Sequence, residues 1–442
     1  MRVAVVGLGK LGAPLAAVLA SKGNDVIGVD VNSEAVRLLN EGRAPVDEPG
    51  LAALVQTHAA RLTGTTELAA TAEAELTILL VPTPSNDRGA FSNTFLLEAI
   101  KSLGRVLATH DRYHTVVVGS TVMPCSCDGE LRAALEQSSG RQVGETLGLC
   151  YSPEFIALGT VIRDMLEPDM VLIGESDRHA GDRLEELYAG VCENDPPFRR
   201  MSLVNAELTK IAVNTYVTMK ISYANTLADM CEHLPGADVE SVTDALGLDT
   251  RIGRKYLRGA LAYGGPCFPR DNKAFAVLAR DLGTRAPLAE ATDSVNDART
   301  EQLARIVRDH LCENDAVGIL GLSYKPDTAV VEESPGIALA LLLGVAGTRE
   351  VNVFDPVATD AALLRLEAGV IPCRSTRELL ERSDVVVVAT PWPEFAELRA
   401  ELPSDRERPL VVIDCWRLLA DDDRDDAMEI VRLGQPLETS VA

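Results

Sequence analysis

The first thirty residues constrain the fold of this chain more than any other segment. A short apolar run at 3–8 leads into the sequence GLGKLG at 7–12, which fits the pattern G-x-G-x-x-G, and a helical pattern at 13–21 follows directly. A strand, a glycine-rich turn and a helix in this order are typical of the first βαβ unit of a parallel sheet with helices on both faces. We therefore predict that the chain begins with such a unit.

The same segment carries a candidate cofactor site. A second apolar run ends in Asp30, 23 residues after Gly7, which is close to the spacing of dinucleotide-binding folds. Glycines in this pattern let the main chain approach a pyrophosphate, and the helix N-terminus offers N–H donors. Asp30 would accept hydrogen bonds from the adenosine ribose and repel a 2′-phosphate, which favours NAD over NADP. The alternative is a turn that needs its glycines only for packing. The cofactor residues predicted from this segment are Gly7, Gly9, Lys10, Leu11, Gly12 and Asp30.

Apolar runs and helical patterns alternate along the first half and the last third of the chain, which predicts βαβ units and mostly parallel sheets. The predicted strands are 3–8, 25–30, 76–82, 115–121, 147–153, 170–174, 317–321, 351–355, 385–390 and 410–414. Residues 203–233 form one long helical pattern without Pro or Gly, and shorter helices follow at 239–246 and 273–282. We predict an α/β protein in which a long central helix and a helical middle domain join two Rossmann-like doubly wound domains. The predicted domains are 1–200, 201–300 and 301–442.

Two further features of the last third bear on this prediction. Gly318 and Gly321 follow the apolar pattern of a strand, but the full fingerprint and an acidic residue at the right distance after it are missing, so this half should bind another ligand. Residues 420–430 read as an acidic, solvated segment without an assigned function.

The composition excludes several classes of protein. The chain has 442 residues, 66 acidic against 42 basic side chains and a formal charge of −24. Nucleic acids and anionic membranes would repel such a surface, and no apolar stretch is long enough to span a bilayer. The nine cysteines form no CxxC pair, so neither a metal site nor a disulfide framework is predicted, and a cytoplasmic location is expected.

One cysteine stands in an unusual context. The segment YGGPCFPRD at 263–271 places two glycines and two prolines around Cys267, which excludes a helix interior and indicates a rigid loop that presents the thiol. A helix start and a nearby cation, Arg270, both favour the thiolate. A nucleophilic thiol in an NAD-binding protein suggests covalent capture of an aldehyde as a thiohemiacetal and then a thioester. The alternative is a buried cysteine that acts as a small hydrophobic side chain.

Several other short motifs occur in a characteristic order. They are Ser120-Thr121-Val122, Pro153-Glu154-Phe155, Lys210 with Asn214, Arg251-Ile252-Gly253 with Tyr256-Leu257, Tyr324-Lys325-Pro326, and Arg417 after Asp414. Together with the cysteine loop, they resemble the UDP-glucose/GDP-mannose dehydrogenase family over nearly the whole chain. Members of that family oxidise the C6 alcohol of a nucleotide-diphosphosugar to a carboxylate with two NAD.

The resemblance implies a set of catalytic roles. Lys210, with Asp271 and a water, takes the C6 hydroxyl proton or stabilises the alkoxide as a cation, and Asn214 donates to the same oxygen. Cys267 then attacks the aldehyde, Glu154 activates the water that hydrolyses the thioester, and Thr121 orients that water or the nicotinamide. A solvated helix position for Lys210 and a capping role for Glu154 are the alternatives.

The resemblance also implies substrate contacts and an oligomer. The predicted substrate-binding residues are Glu154, Phe155, Ile156, Lys210, Asn214, Arg251, Tyr256, Leu257, Tyr263, Gly264, Lys325 and Arg417. Lys325 and Arg417 would meet the diphosphate and the nucleoside, and Arg251 would reach the sugar site of a neighbouring subunit in a homodimer, or a higher homo-oligomer, formed by the long helix. UDP-glucose is the favoured substrate.

The chain departs from the family pattern at several positions. Leu158 stands where many members have a second glutamate, Val330 and Glu332 replace an Asp and an Arg, and Pro266 replaces a frequent Ser. The Arg normally assists NAD phosphate binding, and Arg270 is a candidate to replace it as a cofactor residue. Thr83 and Thr121 are the other cofactor residues that the resemblance implies. These departures leave UDP-N-acetylhexosamine, GDP-mannose and dTDP-glucose open as donors, and a non-catalytic NAD- or nucleotide-sugar-binding protein as a more remote alternative. A two-electron hydroxyacid dehydrogenase would share the N-terminal half but would not need Cys267.

Overall fold

The computed structural model describes residues 1–345, 347–366, 369–403, 406, 408–420 and 426–437. These residues form two units, Met1–Ala212 and Val213–Ala442. Most of the acidic run in the segment 420–430, residues 421–425, lies outside the described residues.

Unit 1 contains an eight-stranded sheet. Its strands are β1 (Arg2–Val6), β2 (Asp25–Val29), β3 (Leu62–Thr65), β4 (Leu76–Leu79), β5 (His114–Val118), β6 (Leu147–Tyr151), β7 (Val171–Glu175) and β8 (Phe198–Ser202). The strand order is β3-β2-β1-β4-β5-β6-β7-β8, and all neighbouring pairs are parallel except β6 with β7. The helices are α1 (Gly12–Ser21), α2 (Ser33–Asn40), α3 (Leu51–Thr57), α4 (Thr94–Leu107), α5 (Arg132–Ser139), α6 (Val161–Leu166) and α7 (Arg178–Ala189).

The central strands are buried at nearly every position because both faces of the sheet are covered. In β1, Val3 and Val5 pack into one hydrophobic cluster, and Ala4 and Val6 pack into a second cluster on the opposite face. Alternate side chains of a strand point to opposite faces, so a continuous apolar run requires a helical layer on each side. This pattern is the physical basis of the doubly wound arrangement.

Helix α8 (Leu203–Glu232) is 30 residues long and crosses the boundary between the two units. Unit 2 continues with α9 (Val239–Leu248), α10 (Phe268–Asp281), α11 (Pro287–Asp309), α12 (Pro335–Val345), α13 (Thr359–Leu363), α14 (Thr376–Arg382) and α15 (Leu398–Glu401). Its strands are β9 (Val317–Leu320), β10 (Val351–Phe354), β11 (Val370–Pro372), β12 (Val385–Val388), β13 (Leu410–Asp414) and β14 (Met428–Arg432). They form a parallel sheet in the order β11-β10-β9-β12-β13-β14.

The predicted fold class is confirmed, with two doubly wound sheets and a helical middle region. All ten predicted strands and the long helix are present. The sequence does not predict β3, β8, β11 and β14, which are the four edge strands of the two sheets. The description of residues 420–430 as solvated is wrong for Met428 and Ile430, because both side chains are buried in β14. Among the described residues, no helix is long and apolar enough to cross a membrane.

Candidate active site

The glycine turn between β1 and α1 has the shape that a dinucleotide needs. Gly7 has a φ of +98°, a left-handed conformation that favours glycine, and a Cβ on Gly12 would overlap the carbonyl oxygen of Gly7. A Cβ on Gly9 would meet no atom within 4 Å. The first and third glycines are therefore required by the protein's own packing, whereas Gly9 leaves open space at the N-terminus of α1. This open space fits a pyrophosphate that approaches the main chain.

The carboxylate of Asp30 is held beside this turn at the end of β2. Its Oδ2 accepts a hydrogen bond of 2.5 Å from the main-chain N–H of Leu8, and its Oδ1 accepts one of 2.8 Å from that of Asn32. Each carboxylate oxygen has further acceptor capacity. These two hydrogen bonds fix the carboxylate beside the turn, where it can accept further hydrogen bonds from the ribose hydroxyls of a dinucleotide. Lys10, on the same turn, is exposed, and Leu11 is the N-cap residue of α1.

Two other predicted cofactor residues contact each other. Thr83, after β4, donates its hydroxyl to the main-chain oxygen of Thr121, after β5, at 2.7 Å. Ser120 donates to the main-chain oxygen of Val81 at 2.6 Å. The carboxyl ends of adjacent parallel strands meet at one edge of the sheet, where ligands of doubly wound folds bind.

Glu207, a residue for which the sequence predicts no role, holds the loop after Thr121. Its side chain is fully buried on α8, and its two carboxylate oxygens each accept a 2.7 Å hydrogen bond, one from the N–H of Cys125 and one from that of Cys127. Burial raises the pKa of Glu207, although these hydrogen bonds oppose the rise. The available signal was its position on the same helix, one turn before Lys210.

The region around Glu154 also lies in unit 1. The Nζ of Lys210 donates to the main-chain oxygen of Glu154 at 2.6 Å and lies 4.7 Å from the ring centre of Phe155. The hydroxyl of Tyr188 donates to Oε1 of Glu154 at 3.1 Å. Burial raises the pKa of Glu154 to about 6, against the opposing effects of Tyr188 and Lys210. Lys210 is therefore mostly buried and hydrogen-bonded, not a solvated helix residue.

Two positions beside Glu154 have apolar side chains. Ile156 and Leu158 both pack against the hydrophobic cluster of unit 1 that contains Val3 and Val5. The departure at Leu158 thus places packing contacts, and no charge, where many family members have a second carboxylate. Tyr188, like Glu207, has a role that the sequence does not predict, because a buried tyrosine on the apolar face of a helix gives no distinctive pattern.

In unit 2, the cysteine loop ends at the start of α10. Cys267 is exposed at the N-cap position, and its main-chain oxygen accepts a hydrogen bond from the N–H of Asp271. Asp271 is fully buried; its Oδ2 accepts a 2.6 Å hydrogen bond from Nδ2 of Asn214, and its Oδ1 accepts one of 3.2 Å from Nε of Arg270. The fold therefore brings Cys267, Arg270, Asp271 and Asn214 together. Asn214 is one turn beyond Lys210 on α8, which places the two side chains on one face of the helix.

The segment that departs from the family pattern supports the cysteine loop. The main-chain N–H of Gly265 donates to the carbonyl oxygen of Glu332 at 3.0 Å. A Cβ on Gly264 would overlap the carbonyl oxygen of Glu333, and one on Gly265 would overlap the ring of Tyr324. Val330 is buried. The replacement of the Asp by Val330 thus places an apolar side chain at a buried position, and Glu332 contributes its main chain to the loop.

Aromatic side chains line the same loop. Tyr263 is buried, and its hydroxyl donates to Oδ1 of Asp293 at 2.7 Å. Burial and Asp293 raise the pKa of Tyr263. The ring of Phe268 meets the rings of Tyr263 and Tyr256 edge to face. Tyr256 is half exposed and Leu257 is buried, so Tyr256 is the better placed of the two to meet a ligand.

The basic residues predicted to contact the substrate already interact with protein groups. Arg417 forms a 2.6 Å ion pair with Asp238 and donates to the main-chain oxygen of Leu433. Arg251 is largely exposed and pairs with Asp249 at 2.6 Å. The Nζ of Lys325 lies 6.0 Å from the ring centre of Tyr324, next to the cysteine loop. The substrate roles of these three residues stay predictions.

In the second sheet an acidic residue comes after the strand next to β9, although it lies farther along the sequence from the glycines than Asp30 does in the first sheet. Asp355 directly follows β10, the neighbour of β9, and is buried. Its Oδ2 accepts hydrogen bonds from the N–H groups of Leu322 and Ser323 and from Nε1 of Trp392. This carboxylate is committed to the turn after β9, which agrees with the expectation that this half binds a ligand other than a dinucleotide.

Comparison with known proteins identifies the family. Three models of the UDP-glucose/GDP-mannose dehydrogenase family match the chain: the NAD binding domain at 1–192, the central domain at 204–298 and the UDP binding domain at 318–421. A UDP-glucose 6-dehydrogenase of Haloferax volcanii is 37% identical over 95% of this chain and 97% of its own length. A GDP-mannose 6-dehydrogenase of Pseudomonas putida is 31% identical over 92% of this chain and 95% of its own length.

A solved structure agrees with these matches. The UDP-glucose dehydrogenase of Pyrobaculum islandicum superposes with a TM-score of 0.86 at 32% identity and covers 97% of this chain and 98% of its own. The predicted family and the predicted cofactor, NAD, are confirmed. The chain belongs to the UDP-glucose/GDP-mannose dehydrogenase family of NAD-dependent nucleotide-sugar 6-dehydrogenases.

Proposed function

We propose that this enzyme oxidises the C6 alcohol of UDP-glucose to the carboxylate of UDP-glucuronate in two NAD-dependent steps. The observation that carries the proposal is the exposed thiol of Cys267 at the start of α10, one turn before the buried pair of Asp271 and Asn214. The choice of UDP-glucose is supported by the names of the Haloferax volcanii and Pyrobaculum islandicum proteins.

The residues around Asp271 suit the first oxidation. NAD, when bound, accepts the hydride in each of the two oxidations. The C6 hydroxyl proton leaves to a water held by Asp271, while Lys210 and Asn214 stabilise the developing alkoxide with a positive charge and an N–H donor. The 2.6 Å hydrogen bond from Asn214 to Asp271 orients both side chains before substrate binds.

Cys267 accounts for the second oxidation. Its sulfur attacks the aldehyde carbon and forms a thiohemiacetal, and loss of the second hydride leaves a thioester. The water that hydrolyses the thioester gives its proton to Glu154, whose pKa of about 6 suits a base at neutral pH. Each sugar therefore reduces two NAD.

A panel of nucleotide sugars tests this function through the absorbance of NADH. We expect UDP-glucose to give two NADH per sugar and to exceed GDP-mannose, UDP-N-acetylhexosamine and dTDP-glucose in kcat/KM. The Cys267→Ser variant should lose steady-state turnover, whereas Cys312→Ser, a change at another exposed cysteine, should leave it unchanged. One NADH per sugar would refute the thioester step, and faster turnover of another donor would refute the choice of UDP-glucose.

We also propose that α8 forms the interface of a homodimer. Tyr216, Tyr223 and Met230 lie at seven-residue intervals and are 57%, 54% and 55% exposed. Apolar residues at this spacing lie along one side of a helix and favour association with a second helix. Tyr223→Glu should lower the molar mass measured by light scattering from the dimer to the monomer, and Lys101→Glu on the exposed face of α4 should not. A monomeric wild type would refute the interface.

A further inference from the structure

The proposed chemistry makes one further demand on the structure, which concerns the base of the hydrolysis step. Thioester hydrolysis needs a base whose carboxylate is held in place and is ionised at working pH. Leu158 packs into the core where many family members have a second glutamate. Glu154 must therefore be oriented by other side chains, and the strongest contact to its carboxylate comes from Tyr188 on α7.

The geometry of Tyr188 is that of a fixed hydrogen-bond donor. The side chain is only 6% exposed, and its hydroxyl donates to Oε1 of Glu154 at 3.1 Å. The buried side chain of Ser152 lowers the pKa of the phenol, although burial outweighs this effect. A phenol has one hydrogen, and the 3.1 Å contact directs it at Glu154. Burial raises the pKa of Tyr188 well above its usual range, so the donor stays protonated.

We propose that Tyr188 is a positioning residue for hydrolysis of the thioester. It holds Oε1 of Glu154 and leaves Oε2 to accept the proton of the attacking water. The water oxygen bonds to the thioester carbon, the bond from that carbon to Sγ of Cys267 breaks, and Cys267 leaves as the thiolate. This role rests on the proposed function, in which Glu154 is the base for that step.

The charges near Glu154 leave few other groups to control it. Lys210 on α8 favours the carboxylate form, and burial opposes it. The thiol of Cys192 also faces Glu154; burial and this carboxylate raise its pKa to about 11, so the thiol stays neutral, and Lys22 is the cation beside it. Lys210 and Tyr188 are therefore the two groups that stabilise the ionised form of Glu154.

The Tyr188→Phe variant tests the role because it removes only the hydroxyl. Loss of a hydrogen bond to a carboxylate raises its pKa by about one unit. The measured quantity is the rate at which the acyl-enzyme on Cys267 decays, followed by quenched-flow mass spectrometry from pH 5 to pH 9. We expect the acid limb to lie near pH 6 in the wild type and about one unit higher in the variant, with unchanged formation of two NADH per site.

Three further variants make the test specific. Tyr113→Phe removes a matched hydroxyl that donates to Asp177 in the same unit, and it should not move the acid limb. In a Glu154→Gln background, Tyr188→Phe should cause no further slowing. Ser152→Ala keeps Tyr188 but makes its hydroxyl a weaker donor, because Ser152 lowers the pKa of the phenol. It should shift the limb in the same direction by less, and it serves if Tyr188→Phe fails to fold.

The outcomes separate this role from the proposed function. If the wild type forms two NADH per sugar and the limb of Tyr188→Phe does not move, the role of Tyr188 is refuted and the function stands. Equal slowing by Tyr188→Phe with and without Glu154 would also refute it, because the effect would then be structural. If no nucleotide sugar gives an acyl-enzyme, the proposed function fails and this role fails with it.

Discussion

A buried ion pair in unit 2 allows us to predict how much one substitution lowers the free energy of unfolding. Arg299 on α11 and Glu232, the last residue of α8, form two hydrogen bonds, of 3.0 Å from Nη2 to Oε1 and 3.4 Å from Nη1 to Oε2. Both side chains are 2% exposed. Nε of Arg299 donates to the main-chain oxygen of Ala260, and Oε1 of Glu232 accepts from the N–H of Gly434.

The Glu232→Gln change removes the negative charge and keeps the shape of the side chain. Arg299 then carries a buried charge without compensation, and removing one partner of a buried ion pair costs about 3–5 kcal/mol. The slope of unfolding free energy against urea is about 3 kcal/mol per M or somewhat more for a unit of this size. The midpoint of urea unfolding should therefore fall by about 1 M.

Tryptophan fluorescence isolates this transition because the chain has two tryptophans, Trp392 and Trp416, and both belong to unit 2. The control is Glu381→Gln on α14, which breaks an exposed pair with Arg377 and should cost at most about 1 kcal/mol. If the Glu232→Gln midpoint shifts no further than that of the control, the reasoning from burial is wrong.

Three other predictions concern the nucleotide and sugar sites. Gly9→Ala should change the free energy of unfolding by no more than about 0.5 kcal/mol, because its Cβ meets no protein atom, but it should raise the Kd for NAD at least about tenfold. Gly12→Ala should lower the melting temperature, because its Cβ overlaps the carbonyl oxygen of Gly7. Asp30→Ser should raise the Kd for NAD roughly tenfold or more by titration calorimetry and reduce the preference over NADP. Asn214→Ala should lower the rate of the first hydride transfer by about 10²-fold in stopped-flow absorbance, and an unchanged rate would contradict its donor role.

The strands that the sequence analysis found and missed differ in burial. Central strands such as β1 and β12 are buried on both faces and read as continuous apolar runs. An edge strand has one neighbour and tolerates polar residues; β8 reads FRRMS, and Arg199 and Ser202 are exposed. Local composition therefore predicts the central strands of a sheet better than its edge strands.

The residues of the candidate site also fall into those that the sequence predicts and those that it does not. Gly7, Gly12 and Cys267 stand in short motifs whose chemistry depends on adjacent residues, so they are visible in the sequence. Glu207 and Tyr188 act through contacts with residues distant in sequence: Glu207 binds main-chain groups about 80 positions away, and Tyr188 meets a carboxylate 34 positions away. No local pattern encodes such a contact.

The sequence by itself determined the doubly wound fold, the NAD site and the presentation of one thiol, because each follows from the backbone needs of adjacent residues. Tertiary structure alone decided how the polar groups are satisfied. It placed Asn214 on Asp271, Tyr188 on Glu154 and the carboxylate of Asp355 on a turn of its own sheet. A buried polar group must find a partner wherever the folded chain provides one, and that choice is made in three dimensions.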